Sequence, residues 1–391
     1  MKGQVKLIVY TILMIILFSS DIFSIPAFAR KYSMTCKTCH SPFPKLKSYA
    51  LDFAGNGFQL KDKDAPRYFM NTGDPELSLI RDVPIAIRLE GFVTYNKGET
   101  DKPDFYAPSV FKLLSGGTIT NDVAYYVYYI LENGEAGKIE DAWLMFNNLF
   151  GSELDVSIGQ FQVCDPIFKR ELRLTREDYL IYKLKPGSSN IDLTYDRGLM
   201  LAYGFESGTD ITLEVLNGSG IGEGFMDGNF DNDKYKNLFG VVSQDVGEHF
   251  RIGALGYLGK EKQMSSIDDL YRTNDVWMVG GDATVSVDPI ELNVQYVERK
   301  DGNPTFEPGA VKIKSRGAFG ECILRPQGDN SKWYAVALFN WIESDLTEYN
   351  TKSLGAGLGY LLRRNIRLVG EYDHNFTAKY GTASIGFVTA F

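Results

Sequence analysis

The amino-acid sequence predicts an all-β fold, a membrane-spanning antiparallel β-barrel of about 16 strands that follows a small α-helical region. Three observations predict it. From residue 84 onward, short segments alternate between apolar and polar side chains, their number is even, and the connections between them are alternately long and short. Strands that cross a bilayer around a wet lumen show this alternation, and single-chain bacterial barrels have an even number of strands.

The composition agrees with this fold class and excludes several others. The chain has 391 residues, of which 44% are hydrophobic and 23% are charged, and it contains 25 Phe, 23 Tyr and 39 Gly. The charged fraction argues against intrinsic disorder and against a bundle of membrane helices. A formal net charge of −9 argues against a nucleic-acid partner. Four cysteines are too few for a disulfide-stabilised scaffold.

Residues 1–29 have the pattern of a secretory signal peptide. A short basic start precedes an apolar run from Leu7 to Phe18, and the segment ends in Ala-Phe-Ala at Ala29. The apolar run is shorter than the roughly 20 residues that a transmembrane helix needs. A retained N-terminal anchor is the alternative. The sequence favours export, with cleavage after Ala29 and a cut before Pro26 as the alternative position.

The most specific motif of the sequence is Cys36-Lys37-Thr38-Cys39-His40. Two cysteines with this spacing can each form a thioether with a haem vinyl group, and the histidine that follows can ligate the iron from one face. A zinc site would need a second pair of ligands, and a redox dithiol would need a surrounding strand–helix–strand pattern; the sequence shows neither. It therefore predicts one covalently attached haem c, with His40 as the proximal ligand.

Residues 30–83 are predicted to form a monohaem cytochrome c domain that caps or plugs the barrel. Apolar side chains recur there at helical spacing, and a Gly-Asn-Gly sequence that begins at Gly55 predicts where the helix ends. The spaced residues are Leu46, Tyr49, Ala50 and Phe53. Such a stripe usually packs in a protein core, and in so small a domain the haem would form most of the core.

The sequence defines the opposite axial ligand of the iron less sharply. Met70 is the first candidate, because it follows His40 at some distance in a predicted loop. Met34 lies too near the attachment site to reach the far face easily. His249, in a predicted short turn, is a further candidate, and an open or water-bound iron is the alternative.

Residues 84–391 are predicted to form the porin-like transmembrane barrel. The segment from Ile290 to Arg299 alternates most regularly, with apolar side chains on one face and polar ones on the other. The segments 85–95 and 311–323 alternate in the same way, so their charged residues are predicted to face the lumen. The predicted strands are 84–95, 109–119, 123–132, 138–147, 153–163, 190–203, 208–217, 236–246, 250–259, 276–287, 290–299, 310–325, 332–344, 353–362, 366–376 and 380–391.

The connections between these strands indicate the membrane. Outer-membrane barrels place long loops at the cell surface and short turns in the periplasm, whereas a soluble sandwich or lipocalin-like barrel has no reason to do so. The predicted long connections include 96–108, 164–189, 218–235, 260–275 and 345–352, and the short ones 120–122, 204–207, 247–249, 288–289 and 363–365. A periplasmic all-β domain is the alternative.

Two of the long loops carry candidate functions. The loop 165–178 is basic and could fold into the lumen, where it would narrow the pore or pair with haem propionates; it could also stay solvated outside. Its cations are Lys169, Arg170, Arg173 and Arg176. The loop 222–234 has oxygen ligands at alternate positions, a pattern that can bind a hard cation, although acidic outer loops are common. These ligands are Asp227, Asn229, Asp231 and Asp233.

Two cysteines and one histidine remain outside these motifs. Cys164 and Cys322 are predicted at opposite ends of their strands, too far apart for a disulfide, so both are expected to be unpaired. His374 is predicted on an outward face near the edge of the membrane. Neither feature is expected to bind the haem.

Residues 26–60 resemble the N-terminal haem segment of outer-membrane monohaem cytochrome–porin fusions, a group that includes the outer-membrane cytochromes of iron-oxidising bacteria. The matching features are Phe-Ala-Arg before the haem motif, the single motif itself, the Pro and Leu residues after it, and the Asn-Gly-aromatic sequence that begins at Asn56. Beyond residue 84 the resemblance extends only to the architecture. It implies that Cys36, Cys39 and His40 bind haem c.

The resemblance implies an outer-membrane electron conduit whose haem domain lies on the periplasmic side or inside the lumen. Its partners would be a soluble periplasmic electron carrier, an extracellular donor or acceptor such as Fe(II) or Fe(III), and outer-membrane lipid. Fe(II):cytochrome c oxidoreductase activity is one form of this function, and electron transfer without catalysis is the other. The alternatives are a solute-conducting porin with a regulatory haem domain, and outward electron transfer to extracellular acceptors.

Overall fold

A computed structural model of the chain describes residues 27–32, 34–40, 46–60, 70–81, 83–98, 100–120, 122–163, 174–222, 228–231 and 233–391. Within these residues, sixteen strands form one closed antiparallel barrel, which confirms the predicted fold class. The strands are β1 (Ile85–Lys97), β2 (Lys102–Thr120), β3 (Val123–Glu132), β4 (Lys138–Phe146), β5 (Leu154–Gln162), β6 (Tyr195–Gly204), β7 (Thr209–Leu216), β8 (Asn237–Val246), β9 (Phe250–Met264), β10 (Tyr271–Val287), β11 (Ile290–Asp301), β12 (Ile313–Leu324), β13 (Trp333–Ser344), β14 (Thr351–Arg363), β15 (Ile366–Asn375) and β16 (Tyr380–Ala390).

Each strand pairs with its neighbours in sequence, and β1 pairs with β16 to close the barrel, with Val93 opposite Ile385. Because the strands are antiparallel, the start of β1 and the end of β16 lie at one end of the barrel, together with the connections β2–β3, β8–β9, β10–β11 and β14–β15. We refer to this end as the inner end and to the opposite one as the outer end. The longest connections, 163–194 and 217–236, are at the outer end.

The alternation along β11 confirms which side chains face the lumen. Asn293 and Gln295 are 0% and 2% exposed, whereas Leu292 and Val294 on the other face are 47% and 50% exposed. A closed barrel satisfies its backbone hydrogen bonds between strands, so an apolar outer surface can face hydrocarbon without unpaired polar groups. The barrel therefore has the exterior of a membrane-spanning protein.

The cations near the start of β12 face outward, so the prediction that they line the lumen is wrong. Lys312, Lys314 and Arg316 all lie on the exposed side of the chain. The ammonium of Lys314 is 3.0 Å from the carboxylate of Glu298, and the guanidinium of Arg316 is 3.0 Å from that of Glu343. These pairs lie at the outer end, where the outer surface of a barrel leaves the hydrocarbon and charges are solvated.

Three connections predicted as long are short. They are 98–101 between β1 and β2, 265–270 between β9 and β10, and 345–350 between β13 and β14. In the first two hairpins the strands continue pairing beyond their predicted ends, with Tyr95 opposite Pro103 and Tyr271 opposite Met264.

The N-terminal residues form three short helices, α1 (Ala27–Tyr32), α2 (Cys36–Cys39) and α3 (Ser48–Gly55). Helix α3 ends at Gly55, as the sequence predicts, and buries Ala50 and Phe53. No helix among the described residues has the length and apolar character needed to cross a bilayer. Short 3-10 helices occur at Leu149–Gly151, Leu180–Lys183, Gly328–Asn330 and Thr347–Tyr349.

Candidate functional site

The longest connection folds into the barrel. Its described part, residues 174–194, is called the inward loop. Tyr179 is fully buried, and its hydroxyl donates to a carboxylate oxygen of Glu321 at 3.0 Å. The backbone N–H and the hydroxyl of Thr175 donate to the carboxylate of Glu371 at 2.9 and 2.8 Å. These bonds satisfy lumen-facing side chains that a barrel filled with water would leave hydrated.

Arg299 fastens the inward loop to β11. Its guanidinium forms a two-point ion pair with Asp301, at 2.7 and 2.8 Å. It also donates to the carbonyl oxygens of Leu184 and Ile191, at 2.9 and 2.6 Å, and to the hydroxyl of Ser189 at 2.9 Å. Arg299 is 2% exposed, so this fork of donors is held in a dry environment where such bonds are strong.

The inward loop divides the lumen into two parts. Its hydrogen bonds reach β9 and each strand from β11 to β15. We call β9 to β15 the closed half. The wall formed by β16 and by β1 to β8, the open half, is largely uncovered. A cavity of about 2740 Å³ follows the open half and spreads across the inner end. It extends from Cys36 to Asn133, in an outer turn. Ordinary ligand pockets measure about 300–1,000 Å³, so the cavity could admit a large group.

Residues 27–60, the N-terminal segment, lie in their described part at the inner mouth of this cavity. The ring of Phe58 stacks on Tyr126 and Trp143 in the barrel wall, with centroid distances of 5.3 and 6.4 Å. Phe53 packs edge-on against Phe58 at 5.8 Å. Phe28 also stacks on Phe58, at 4.4 Å, but it precedes the predicted cleavage site at Ala29 and stays in the mature chain only if cleavage occurs before Pro26. The N-terminal segment is therefore docked on the open half by an aromatic cluster.

Gly57 marks the closest approach of the N-terminal segment to the wall. Its φ is +62°, and a Cβ placed there would lie 2.4 Å from the Cβ of Ala124. Beside it, the side-chain amide of Asn147 donates to the carbonyl oxygen of Asn56 at 3.2 Å. Only glycine meets both the backbone and the space requirement here.

Two lysines attach the N-terminal segment to the turn between β12 and β13. The ammonium of Lys47 is 2.6 Å from the carboxylate of Asp329, and that of Lys37 donates to the side-chain oxygen of Asn330 at 2.7 Å. Both contacts are exposed, so each contributes little free energy but helps to fix the orientation.

The haem-motif residues lie together at the wall of the cavity. Cys36 and Cys39 occupy a single helical turn and form no disulfide, and the N–H of His40 donates to the carbonyl oxygen of Cys36 at 2.9 Å. All three border the cavity. Burial raises the pKa of both thiols; a further increase for Cys39 comes from Cys36, whereas Arg364 partly offsets the effect on Cys36.

This donor set fits a haem c. Two thiols on one turn, followed by an imidazole, face a cavity whose nearby wall is aromatic. The residues that would hold the group are Cys36, Cys39 and His40.

The candidates for the opposite axial ligand are placed differently. Met34 and His249 border the cavity with His40, whereas Met70 is not among its lining residues. Met70 is 51% exposed, and its N–H donates to the carbonyl oxygen of Leu79 at 2.8 Å. Met70 therefore stays a prediction, and its position away from the cavity does not favour it as an axial ligand. Spacing along the chain could not reveal this, because it does not fix where a loop residue lies.

Several residues singled out in the sequence lie outside the described part of the chain; these are Cys164, Lys169, Arg170, Arg173 and Asp227. Arg176, from the same basic loop, is described. Its guanidinium lies over the ring of Tyr106, 4.5 Å from the centroid, and borders the cavity, so its pairing with haem propionates stays a prediction.

The described part of the acidic loop uses its carboxylates within the protein. Asp231 pairs with Lys236, and Asp233 accepts the N–H groups of Tyr235 and Lys262, both at 2.6 Å. Nowhere in the described residues are three His, Cys, Asp or Glu side chains grouped so as to hold a metal ion.

The remaining cysteine and histidine have their predicted positions. Cys322 lies near the inner end of β12, on its outward side, and forms no disulfide with a described residue. His374 faces outward on β15 and packs edge-on against Phe376 at 4.8 Å.

No protein-family model matches the sequence, and no curated protein matches it. Solved structures do. A loop L8 deletion mutant of OmpT, an outer-membrane protein of Vibrio cholerae, has a TM-score of 0.55 and 12% identity, with 79% of this chain and 99% of that chain covered. The fold is that of an outer-membrane porin.

Two further porin structures agree. An anion-selective porin from Comamonas acidovorans has a TM-score of 0.55 and 11% identity, with 79% of this chain and 99% of that chain covered. The outer-membrane channel DcaP of Acinetobacter baumannii has a TM-score of 0.53 and 14% identity, covering 79% and 97%. At these identities the likeness establishes the porin fold and nothing finer.

Proposed function

We propose that this chain is an outer-membrane electron conduit with one haem c attached to Cys36 and Cys39, and with His40 as an axial ligand. The observation that carries the proposal is that these three residues border a lumen cavity that also reaches Asn133 in an outer turn. When bound, the haem supplies a centre that takes up and releases one electron. One site is thus accessible from the outer side through the lumen and from the periplasm at the inner mouth.

The chain itself orients this site and shields it from lipid. The aromatic cluster around Phe58 holds the N-terminal segment on the barrel wall, and Lys47 and Lys37 set its orientation at the turn that contains Asp329. The barrel keeps the redox group away from hydrocarbon, where a charged centre would be costly. On the outer side, the inward loop limits access to the open half.

The partners follow from the two ends of this path. A soluble electron carrier would meet the N-terminal segment at the inner mouth, and an external donor or acceptor would enter through the open half. Fe(II) is the donor suggested by the resemblance of residues 26–60, and the cavity wall carries more carboxylates than cations. Oxidation of Fe(II) by one electron would give Fe(III) and reduce the carrier by one electron.

Reconstitution in liposomes tests this function. The haem-loaded full chain is placed in vesicles that contain oxidised cytochrome c, and Fe(II) is added outside. We expect reduction of the enclosed cytochrome c, and its loss in the Cys39→Ser variant. Cys322→Ser is the matched control, because it removes a thiol from the outward face of β12, and it should not change the rate. Equal rates in empty and loaded vesicles would refute the conduit.

The open half also supports a second candidate, a solute-conducting porin. The cavity of about 2740 Å³ favours it, as does the likeness to porins and channels. Planar bilayer recordings separate the two functions. A conduit whose inner mouth is blocked by the N-terminal segment should show little conductance. A porin should show large stepwise conductance with or without haem.

A further inference from the structure

The wall of the cavity is acidic. Among the described residues, sixteen Asp or Glu side chains line it, against eight Lys or Arg. Several of these cations are already paired; the guanidinium of Arg88 is 2.7 Å from the carboxylate of Glu90, and that of Arg251 is 2.7 Å from Asp282. A low-dielectric channel lined by one sign of charge concentrates ions of the opposite sign.

Glu214 differs from the other carboxylates of the wall. It lies on the lumen face of β7, opposite Met200 on β6 and Phe239 on β8, and is only 3% exposed. Its Oε2 atom has no hydrogen-bond partner among the described residues. The charged residue that interacts with Glu214 is Asp196, whose charge is also negative.

A buried carboxylate oxygen without a partner is costly when the group is ionised, because desolvation is not offset by a hydrogen bond or an opposite charge. A proton or a cation relieves that cost, and the cavity that Glu214 borders is the route by which a cation can arrive. Carboxylate oxygens bind hard and borderline divalent cations, which can keep several waters as their other ligands.

We infer that Glu214 is a cation-binding site in the wall of the lumen and takes up a small divalent metal ion from the cavity. The inference concerns the barrel and holds whether or not haem is attached.

Equilibrium binding of Mn²⁺ tests the inference without electron transfer. The full-length protein in detergent is titrated with MnCl₂, and free Mn²⁺ is followed by its electron paramagnetic resonance signal. The native chain should bind Mn²⁺, and Glu214→Gln should weaken the tightest site by at least about tenfold, since it removes the carboxylate that would bind the ion. Glu214→Asp, which keeps the carboxylate, should retain most of the binding.

Glu343→Gln is the matched control, because it removes the same charge from the outer surface, where Glu343 pairs with Arg316. It should leave Mn²⁺ binding unchanged. Absence of Mn²⁺ uptake by the native chain at millimolar concentration would overturn the inference, whether or not a variant folds. Unchanged uptake by a folded Glu214→Gln variant would also overturn the inference. It would show that Glu214 does not bind the metal in the native chain, where its carboxyl group would instead be protonated.

Discussion

The closed and open halves of the barrel have the same strand pattern and different contents. In the closed half, Asn293 donates to Glu321 at 3.0 Å, and Glu321 in turn accepts the hydroxyl of Tyr179 from the inward loop. In the open half, the corresponding lumen-facing Glu214 meets a cavity. Alternation alone makes both walls polar. The inward loop decides which wall becomes a packed interior and which remains a passage.

The two halves therefore depend on different forces. The closed half is a hydrogen-bonded interior in which removal of one partner leaves others buried and unsatisfied. At the inner mouth, the open half depends on aromatic packing and on exposed charge pairs, which are individually weak. Substitutions should accordingly have large effects on stability in the closed half and smaller effects on access in the open half.

The largest effect is expected for Arg299→Ala. The substitution leaves Asp301 buried without its cation and removes the attachment of the inward loop, at a cost of about 3–5 kcal/mol. Guanidinium unfolding in detergent measures the loss, and bilayer conductance should rise as the inward loop loosens. Arg316→Ala, on the exposed outer rim, is the control and should change the free energy of unfolding by less than about 1 kcal/mol. Equal losses for both arginines would contradict the distinction between the halves.

A smaller effect is expected for Tyr179→Phe. Without the hydroxyl, one carboxylate oxygen of Glu321 loses a buried donor, which costs about 1–3 kcal/mol. Tyr296→Phe, which removes a hydroxyl from the outward face of β11, should cost much less. The same unfolding experiment compares them. A similar cost for both variants would indicate that the inward loop does not seal the closed half.

Phe58→Ala tests the open half. Loss of its stacking on Tyr126 and Trp143 removes about 0.5–1.5 kcal/mol per aromatic pair, which corresponds to roughly a tenfold increase in the undocked population. Limited proteolysis should release the N-terminal segment correspondingly faster while the barrel stays folded. Phe150→Ala, at a side chain that is 95% exposed, is the control. If both variants were cleaved at the native rate, the aromatic cluster would not hold the segment.

The smallest effect is a pH dependence of docking. Burial, with a further contribution from Asp245, raises the pKa of Asp52 above its ordinary value of 3.8. Because the docked state disfavours the ionised form, docking should be strongest in acid and should weaken as the pH rises through the raised pKa. The proteolytic release rate measured against pH should show this trend. Asp52→Asn should flatten it, and a variant with the native profile would exclude Asp52 as its origin.

The strands and helix α3 could be predicted because their patterns are local. Each of the sixteen predicted segments overlaps a strand of the barrel, although 123–132 is apolar on both faces and does not alternate. Helical spacing with a Gly-Asn-Gly stop located the end of α3 at Gly55. The path of the inward loop could not be predicted, since it depends on contacts between residues far apart in sequence, such as Arg299 with Leu184.

One error has a clear physical origin. Alternation distinguishes two faces of a strand but contains no information on depth in the membrane, so it predicts Lys314 and Arg316 in the lumen although they lie on the outer rim. The surroundings of Glu214 also have no signal in the sequence, because alternation places Glu291 on β11 and Glu214 on β7 in the lumen alike. Glu291 accepts a hydrogen bond from Asn293, whereas Oε2 of Glu214 has no partner among the described residues.

Covalent haem content decides whether Cys36 and Cys39 attach a haem. The full chain is produced in the presence of a periplasmic haem-attachment system, and its intact mass and reduced absorption spectrum are measured. We expect one haem per native chain, and none on a variant in which Cys36 and Cys39 are both serine. A native chain that inserts as a folded barrel and carries no covalent haem would contradict this expectation, as would haem retained by the serine variant.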